Sequence, residues 1–175
     1  MTVTVRPLSG EHAHACSAAL ADILIDCVHG GASVSFMAPL SHAKAQAFWD
    51  GVADGVARGQ RILLVAEDNA THGLVGTVQV VLAQPENQPH RGDIAKMLVH
   101  RRARRHGIGA MLMRDAEHAA RAAGKTLLVL DTASGSDAER LYQRLGWTRV
   151  GVIPGYALWP GGRPCATTYY YKPIA

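Results

Sequence analysis

Aromatic side chains are scarce in this sequence: phenylalanine, tyrosine and tryptophan make up 6% of its 175 residues. A nucleic-acid surface needs stacking aromatics or broad basic faces, and the net charge is only +4. That pairing argues against nucleic acid while still suiting a small anionic ligand. Cysteine is equally sparse. Cys16, Cys27 and Cys165 are an odd number without paired spacing, which excludes a disulfide framework and points to free thiols of a reduced compartment. No apolar run approaches the roughly 18 residues of a membrane span. "MTVTVRPLSGEH" lacks a basic start followed by an apolar core, so no signal peptide and a cytoplasmic location are expected. His12 and His14 have no third ligand at sensible spacing, so no metal is expected. With no internal repeat and no low-complexity linker, residues 1–175 read as one domain, long enough to bury a core.

What the sequence does contain is a 48% hydrophobic content in periodic patterns. "TVTVRPL" alternates as a strand does. "EHAHACSAALADILIDCVH" places Leu20, Ile23 and Cys27 at helical spacing over 11–29, and "SHAKAQAFWDGVADGVARG" predicts a second helix capped by Ser41 and stopped at Gly59. "RILLVAED" and "LVGTVQVVLA", joined by "NATHG", predict a hairpin. "GDIAKMLV" predicts a further strand. The continuous apolar run "TLLVLDT" predicts one covered on both faces. In "SDAERLYQRLGW", Ser136 and Glu139 have capping-box spacing and Gly146 fits the stop. Two closing strands follow around a Pro/Gly-rich loop. This order predicts a mixed sheet with helices on both faces, α/β or α+β.

The most unusual stretch is "VHRRARRHGIGAMLM". Six of the seven residues from His100 to His106 are arginine or histidine. A strand ends near Val99, and Gly107-Ile108-Gly109 opens a helix. The free N–H groups at a helix start favour an anion, glycines let backbone approach a phosphate, and arginines add charge-assisted contacts. The residues alone leave two readings: a pyrophosphate cradle or a solvated basic loop. Dinucleotide binding is disfavoured because Leu112 stands where Gly-x-Gly-x-x-Gly needs its third glycine. Gly124-Lys125-Thr126 ends a helix, and Ala119 stands where a P-loop needs its first glycine, which excludes that motif.

Arg104-Arg105-His106-Gly107-Ile108-Gly109 resembles the R/Q-x-x-G-x-G/A signature of the GNAT superfamily of N-acetyltransferases. Downstream, "DAERLYQRLGWTRVG" resembles the family's A-x-x-L-Y-x-x-x-G-F segment, with Trp147 for phenylalanine. Gly135 stands where the family often has asparagine. The resemblance covers residues 60–155 in pattern. "VHGGASVSFM", "LDTASGSDAERLY" and "PGYALWPGGR" further resemble the tabtoxin-resistance branch of that family.

The resemblance implies a mixed, mostly antiparallel twisted sheet of about seven strands. It also implies acetyl-CoA as co-substrate and transfer of the acetyl group to a primary amine of a small molecule, toxin- or antibiotic-like amines included. Transfer would be by direct attack in a ternary complex. Arg104, Arg105, His106, Gly107, Ile108 and Gly109 would hold the pyrophosphate; Arg101 and Arg102 would reach the 3′-phosphate or face water. Met97, Leu98 and Val99 would meet the acetyl and pantetheine groups, and Ser136 is placed among the cofactor contacts. Tyr142 would be the general acid, and Asp93 or Asp131 the base. His29, Gly30, Gly31 and Ser33 would build the acceptor pocket, with Ser35, Phe36 and Tyr156 as further candidates. A monomer or homodimer is expected. Two other functions stay open: a protein or peptide N-terminal acetyltransferase, and a non-catalytic acyl-CoA sensor.

Overall fold

In the computed structural model, which describes residues 2–174, the expected N-terminal strand is β1 (Val3–Leu8). The long helix expected over 11–29 is two helices, α1 (Gly10–Ala15) and α2 (Ser17–His29), with Cys16 ending one and starting the other at φ −94° and ψ 1°. Packing causes the break. A Cβ on Gly10 would lie 2.7 Å from Ala57 Cβ, so α1 rests flush on the C-terminal end of the helix over His42–Ala57 while α2 takes its own axis. Side-chain periodicity does not report that change of axis. Helix α3 (His42–Ala57) begins as expected, with Ser41 Oγ accepting from Lys44 N.

The strands β2 (Arg61–Asp68) and β3 (Leu74–Val81) form the expected hairpin. β4 (Arg91–Val99) leads through a 3₁₀ turn at Arg101–Ala103 into α4 (Ile108–Ala122). β5 (Leu127–Ala133), α5 (Asp137–Arg144), β6 (Thr148–Leu158) and β7 (Pro164–Pro173) complete the chain. The sheet has seven strands in the order β1-β2-β3-β4-β5-β7-β6. Every neighbour is antiparallel except β4 and β5.

Alternation along the strands divides the apolar side chains between two cores, one on each face. Leu64, Val78, Val80, Leu128 and Leu130 face α4, meeting its Leu112, Met113 and Ala116. Leu63 and Val65 face the other way, onto Leu20 and Leu24 of α2 and Trp49 of α3. Helices thus cover both faces. Among the described residues no helix is long and apolar enough to cross a membrane.

Two local expectations are corrected. β5 is not covered on both faces: Leu128 and Leu130 are buried, whereas Asp131 is exposed. Its apolar composition hides a one-sided strand whose second face opens into a cleft. The capping box is shifted by one residue. Glu139 Oε2 accepts from Gly135 N at 2.6 Å, and Ser136 Oγ is buried without a partner. Gly135 takes φ +78°, which turns its N–H toward the carboxylate in place of that of Ser136. Trp147, the departure from the family's phenylalanine, is accommodated by Glu117. This buried carboxylate accepts from the indole Nε1 at 3.1 Å and from Lys172 Nζ at 2.8 Å, which satisfies both the indole N–H and the buried charge.

Candidate active site

The site originates where β4 and β5 part. They pair only over Arg91–Asp93 against Leu127–Val129. Beyond Asp93, β4 is bonded to β3 alone, and β5 beyond Val129 is bonded to β7 alone. The inner edges of both strands therefore face a wedge, with main-chain groups lining it. Within β4 the register slips: Thr77 opposes Leu98 and Gln79 opposes Ala95, so Lys96 and Met97 share one partner position. Lys96 takes φ +49°, as the extra residue of a bulge. Leu98 is buried in the α2–α3 core and Met97 packs on the opposite one. Of the three expected strand contacts, their main chain is therefore the part presented to the wedge. A Cβ on Gly109 would lie 3.0 Å from Leu141 Cδ2 and 3.7 Å from Met97 Sδ, so this glycine lets α4, α5 and β4 meet.

The basic segment divides into anchors and a loop. Arg101 bonds Asp26 through both its main-chain N (2.8 Å) and Nε (2.9 Å), and Arg102 reaches the Leu74 carbonyl at 3.4 Å. These partners account for the two arginines left between a phosphate and water. Arg104 Nε donates to the Val99 carbonyl at 3.1 Å, tying the loop to the end of β4. Arg105 and Gly107 lie in the left-handed region, at φ +65° and +77°. His106 Nδ1 stands 2.9 Å from the Arg104 carbonyl between them. Alternating hand at successive residues gathers main-chain N–H groups into an anion-binding concavity. Ile108 then opens α4, whose N-cap, Gly107, has no side chain to occupy the first N–H groups. The residues present thus fit a phosphate-bearing ligand.

The two candidate bases have different surroundings. Asp93 accepts from Arg91 through one oxygen and from Gln84 Nε2 at 3.0 Å through the other. Asp131 has no such clamp. Loss of solvation raises its carboxyl above the usual carboxylate range, with nearby Lys96 opposing and the Asp93 charge adding to the rise. Tyr142 is buried between the rings of Trp147 and Tyr170, at centroid distances of 6.1 and 6.0 Å. Burial pushes its hydroxyl up, and the Asp131 charge adds to the shift. Tyr169, opposite Asp131 in the β5–β7 register, donates to Tyr156 Oη at 2.8 Å. Its hydroxyl is pushed up to about 12 by that bond, with burial and Asp131 adding.

The α2–α3 loop meets the β6–β7 turn, which lies beyond the C-terminal end of β5. Ser33 Oγ donates to the Leu158 carbonyl at 2.8 Å, and Ala38 N to the Pro160 carbonyl at 3.1 Å. Ser35 Oγ accepts from Lys96 Nζ at 3.0 Å, and Phe36 packs edge-on against Phe48 at 5.2 Å. Gly30 lies against the basic segment: a Cβ there would be 3.0 Å from Arg101 Cδ, whereas a Cβ on Gly31 would meet nothing within 4 Å. Of two surface depressions, one at Thr2 and Asp68–Ala70 and one between Asp22, Leu74 and Arg102, neither includes an expected catalytic or acceptor residue, and Arg102 is the one candidate cofactor contact among their linings. We place the chemistry in the wedge on the strength of its converging polar groups. Among the described residues no cluster of His, Cys, Asp or Glu could hold a metal ion.

Lys96, Gln84 and Tyr169 escaped the sequence reading. The signal for Lys96 was one charged residue inside the apolar "IAKMLV". Nothing in the sequence placed Gln84 on Asp93.

A seven-stranded sheet split between its only parallel pair, with an N–H cradle at one end of the split, defines an acyltransferase-like architecture. Several solved proteins share it. An N-acetyltransferase from Staphylococcus aureus Mu50 superposes with a TM-score of 0.80 at 17% identity over 100% of both chains. A ribosomal-protein-alanine N-acetyltransferase from Brucella melitensis gives 0.80 at 20%, over 97% of this chain and 99% of that one. A GNAT superfamily phosphinothricin acetyltransferase from Sinorhizobium meliloti, in complex with AcCoA, gives 0.77 at 18%, over 99% and 89%. At such identities the likeness is one of fold. Residues 25–147 match the Acetyltransferase (GNAT) family, and the chain belongs to that family.

Proposed function

We propose that residues 1–175 form a single-domain, acetyl-CoA-dependent N-acetyltransferase that acylates a primary amine of a small molecule by direct attack in a ternary complex. The observation that carries this reading is the wedge. On its β5–α5 side it holds an unclamped carboxylate, Asp131, and a proton-bearing phenol, Tyr142, while the edge of β4 faces them. The Arg104–Gly109 cradle fits the pyrophosphate.

Acetyl-CoA supplies an activated acyl group. The chain supplies the rest. Main-chain groups of Met97, Leu98 and Val99 line the position for the thioester carbonyl and pantetheine arm. Asp131 takes the proton of the attacking ammonium, for which its raised affinity for protons suits it. Asp93, clamped by Arg91 and Gln84, holds a fixed negative charge that attracts the ammonium. Tyr142 presents its hydroxyl proton to the leaving sulfur.

The small-molecule reading is favoured over a peptide acceptor by the α2–α3 loop and β6–β7 turn being tied to each other, since joined loops leave less room for a polypeptide. A sensor would need neither Asp131 nor Tyr142. The resemblance of "LDTASGSDAERLY" and "PGYALWPGGR" to the tabtoxin-resistance branch supports the same class of acceptor. Thiol release should be amine-dependent with a panel of small primary amines and absent with peptides bearing free N-termini. The reverse pattern would favour the peptide enzyme, and acetyl-CoA binding without release in either arm would favour the sensor.

A further inference from the structure

Transfer to a plain amine leaves one residue of the wedge without a task. Lys96 sits at the β4 bulge with φ +49°, and its Nζ donates to Ser35 Oγ at 3.0 Å. Ser35 also occupies the left-handed region, at φ +77°. Both ends of this contact therefore hold uncommon backbone geometry. The ammonium lies 5.6 Å from the centroid of the Phe48 ring. Among the described residues no carboxylate comes within 4.0 Å of it. A half-buried cation whose direct contacts are a hydroxyl and a ring, with the like charge of Arg61 also bearing on it, is an incomplete arrangement, because buried charge is ordinarily paired. Loss of solvation pulls the ammonium below the usual lysine range, and Asp131 across the wedge only partly offsets this.

Charge in the wedge is thus distributed in two places. The Asp93 carboxylate already has a direct partner in Arg91. That leaves Asp131 on β5 and Lys96 on β4 as opposite charges facing one space without pairing directly. Resting on the small-amine reading above, we propose that the acceptor is a small zwitterion, an amine carrying a nearby oxyanion such as a carboxylate, and that Lys96 with Ser35 forms its anion subsite. The ammonium then lies toward Asp131, where it loses its proton, and the oxyanion toward Lys96. Lys96 determines specificity and does not touch the proton that moves.

The test uses the common L-amino acids, each compared with its methyl ester and its amide in the thiol-release assay. All three forms keep the same primary amine. Esters and amides carry the less basic amine, which favours them chemically, so a preference for the acid reports the subsite. The wild type should prefer the acid by about 10- to 100-fold in kcat/KM, chiefly through KM, as expected for a charge-assisted contact. Lys96→Met should bring that ratio close to one, and Lys96→Arg should restore most of it. Lys96→Asn, whose side chain tolerates left-handed backbone, should behave like Lys96→Met and guards against a folding defect. Equal use of acid, ester and amide by the wild type overturns the inference alone, as does an unchanged preference in Lys96→Met and Lys96→Asn. Failure of all three forms with a protein that acetylates other small primary amines overturns this inference alone; failure with every small amine, acetyl-CoA still binding, overturns the small-amine reading and this inference with it.

Discussion

Asp131→Asn should lower kcat/KM by about 10²–10⁴-fold, the usual contribution of a general base. Asparagine keeps the volume and the β5 register but cannot take a proton. In the wild type, activity should fall on the acid side as pH drops through the Asp131 value, which partial loss of solvation at the carboxyl raises above the ordinary one. That limb should disappear from the residual activity of the variant. Asp93→Asn should cost far less, because Arg91 and Gln84 already occupy both carboxylate oxygens. Stability should move the other way. A carboxyl whose folded value is raised contributes stability below its unfolded value and loses it as pH rises through the folded one. At neutral pH the ionised Asp131 is therefore a net cost, and Asp131→Asn should melt no lower than the wild type. A normal pH–rate profile in Asp131→Asn would remove it as the base.

Tyr142→Phe should lower kcat by about 10²–10³-fold, the effect of deleting one donor aimed at developing charge. The KM for acetyl-CoA should stay within a few-fold. The ring remains packed between Trp147 and Tyr170, so the fold loses one hydroxyl and no volume. The upward shift of that hydroxyl refines the expected role. A free thiol titrates near 8.5, so full proton transfer from so weak an acid would be uphill. Tyr142 thus acts mainly by donating a hydrogen bond to the leaving sulfur. The acid limb set by Asp131 should consequently persist in the residual activity of Tyr142→Phe. Unchanged turnover would exclude Tyr142 from the chemistry.

Particular elements show why some of this was legible in the sequence and some was not. The 3.6-residue period of α4 and the glycines at 107 and 146 are local signals, and each element appeared where they placed it. The break at Cys16 was invisible because it depends on how Gly10 meets Ala57, in a helix far along the chain. The shifted cap of α5 depended on the hand of Gly135. The candidate site divided in the same way. The Arg104–Gly109 cradle is contiguous and could be read directly. The distinction between Asp93 and Asp131 could not, because it rests on Gln84 and Arg91 reaching one carboxylate and not the other. Lys96 was hidden by the bulge, which re-aims a strand side chain that simple alternation would have assigned to a face.

The account depends on the cradle and wedge holding acetyl-CoA. Calorimetric titration of acetyl-CoA into the wild type and Gly107→Val tests this directly, since valine is strained at φ +77° and would distort the loop that gathers the N–H groups. The account predicts saturable, one-to-one heat with the wild type and at least about tenfold weaker binding with the variant, the loss of one or two charge-assisted hydrogen bonds. Absence of saturable heat with the wild type, or equal affinity in a folded Gly107→Val, would contradict it.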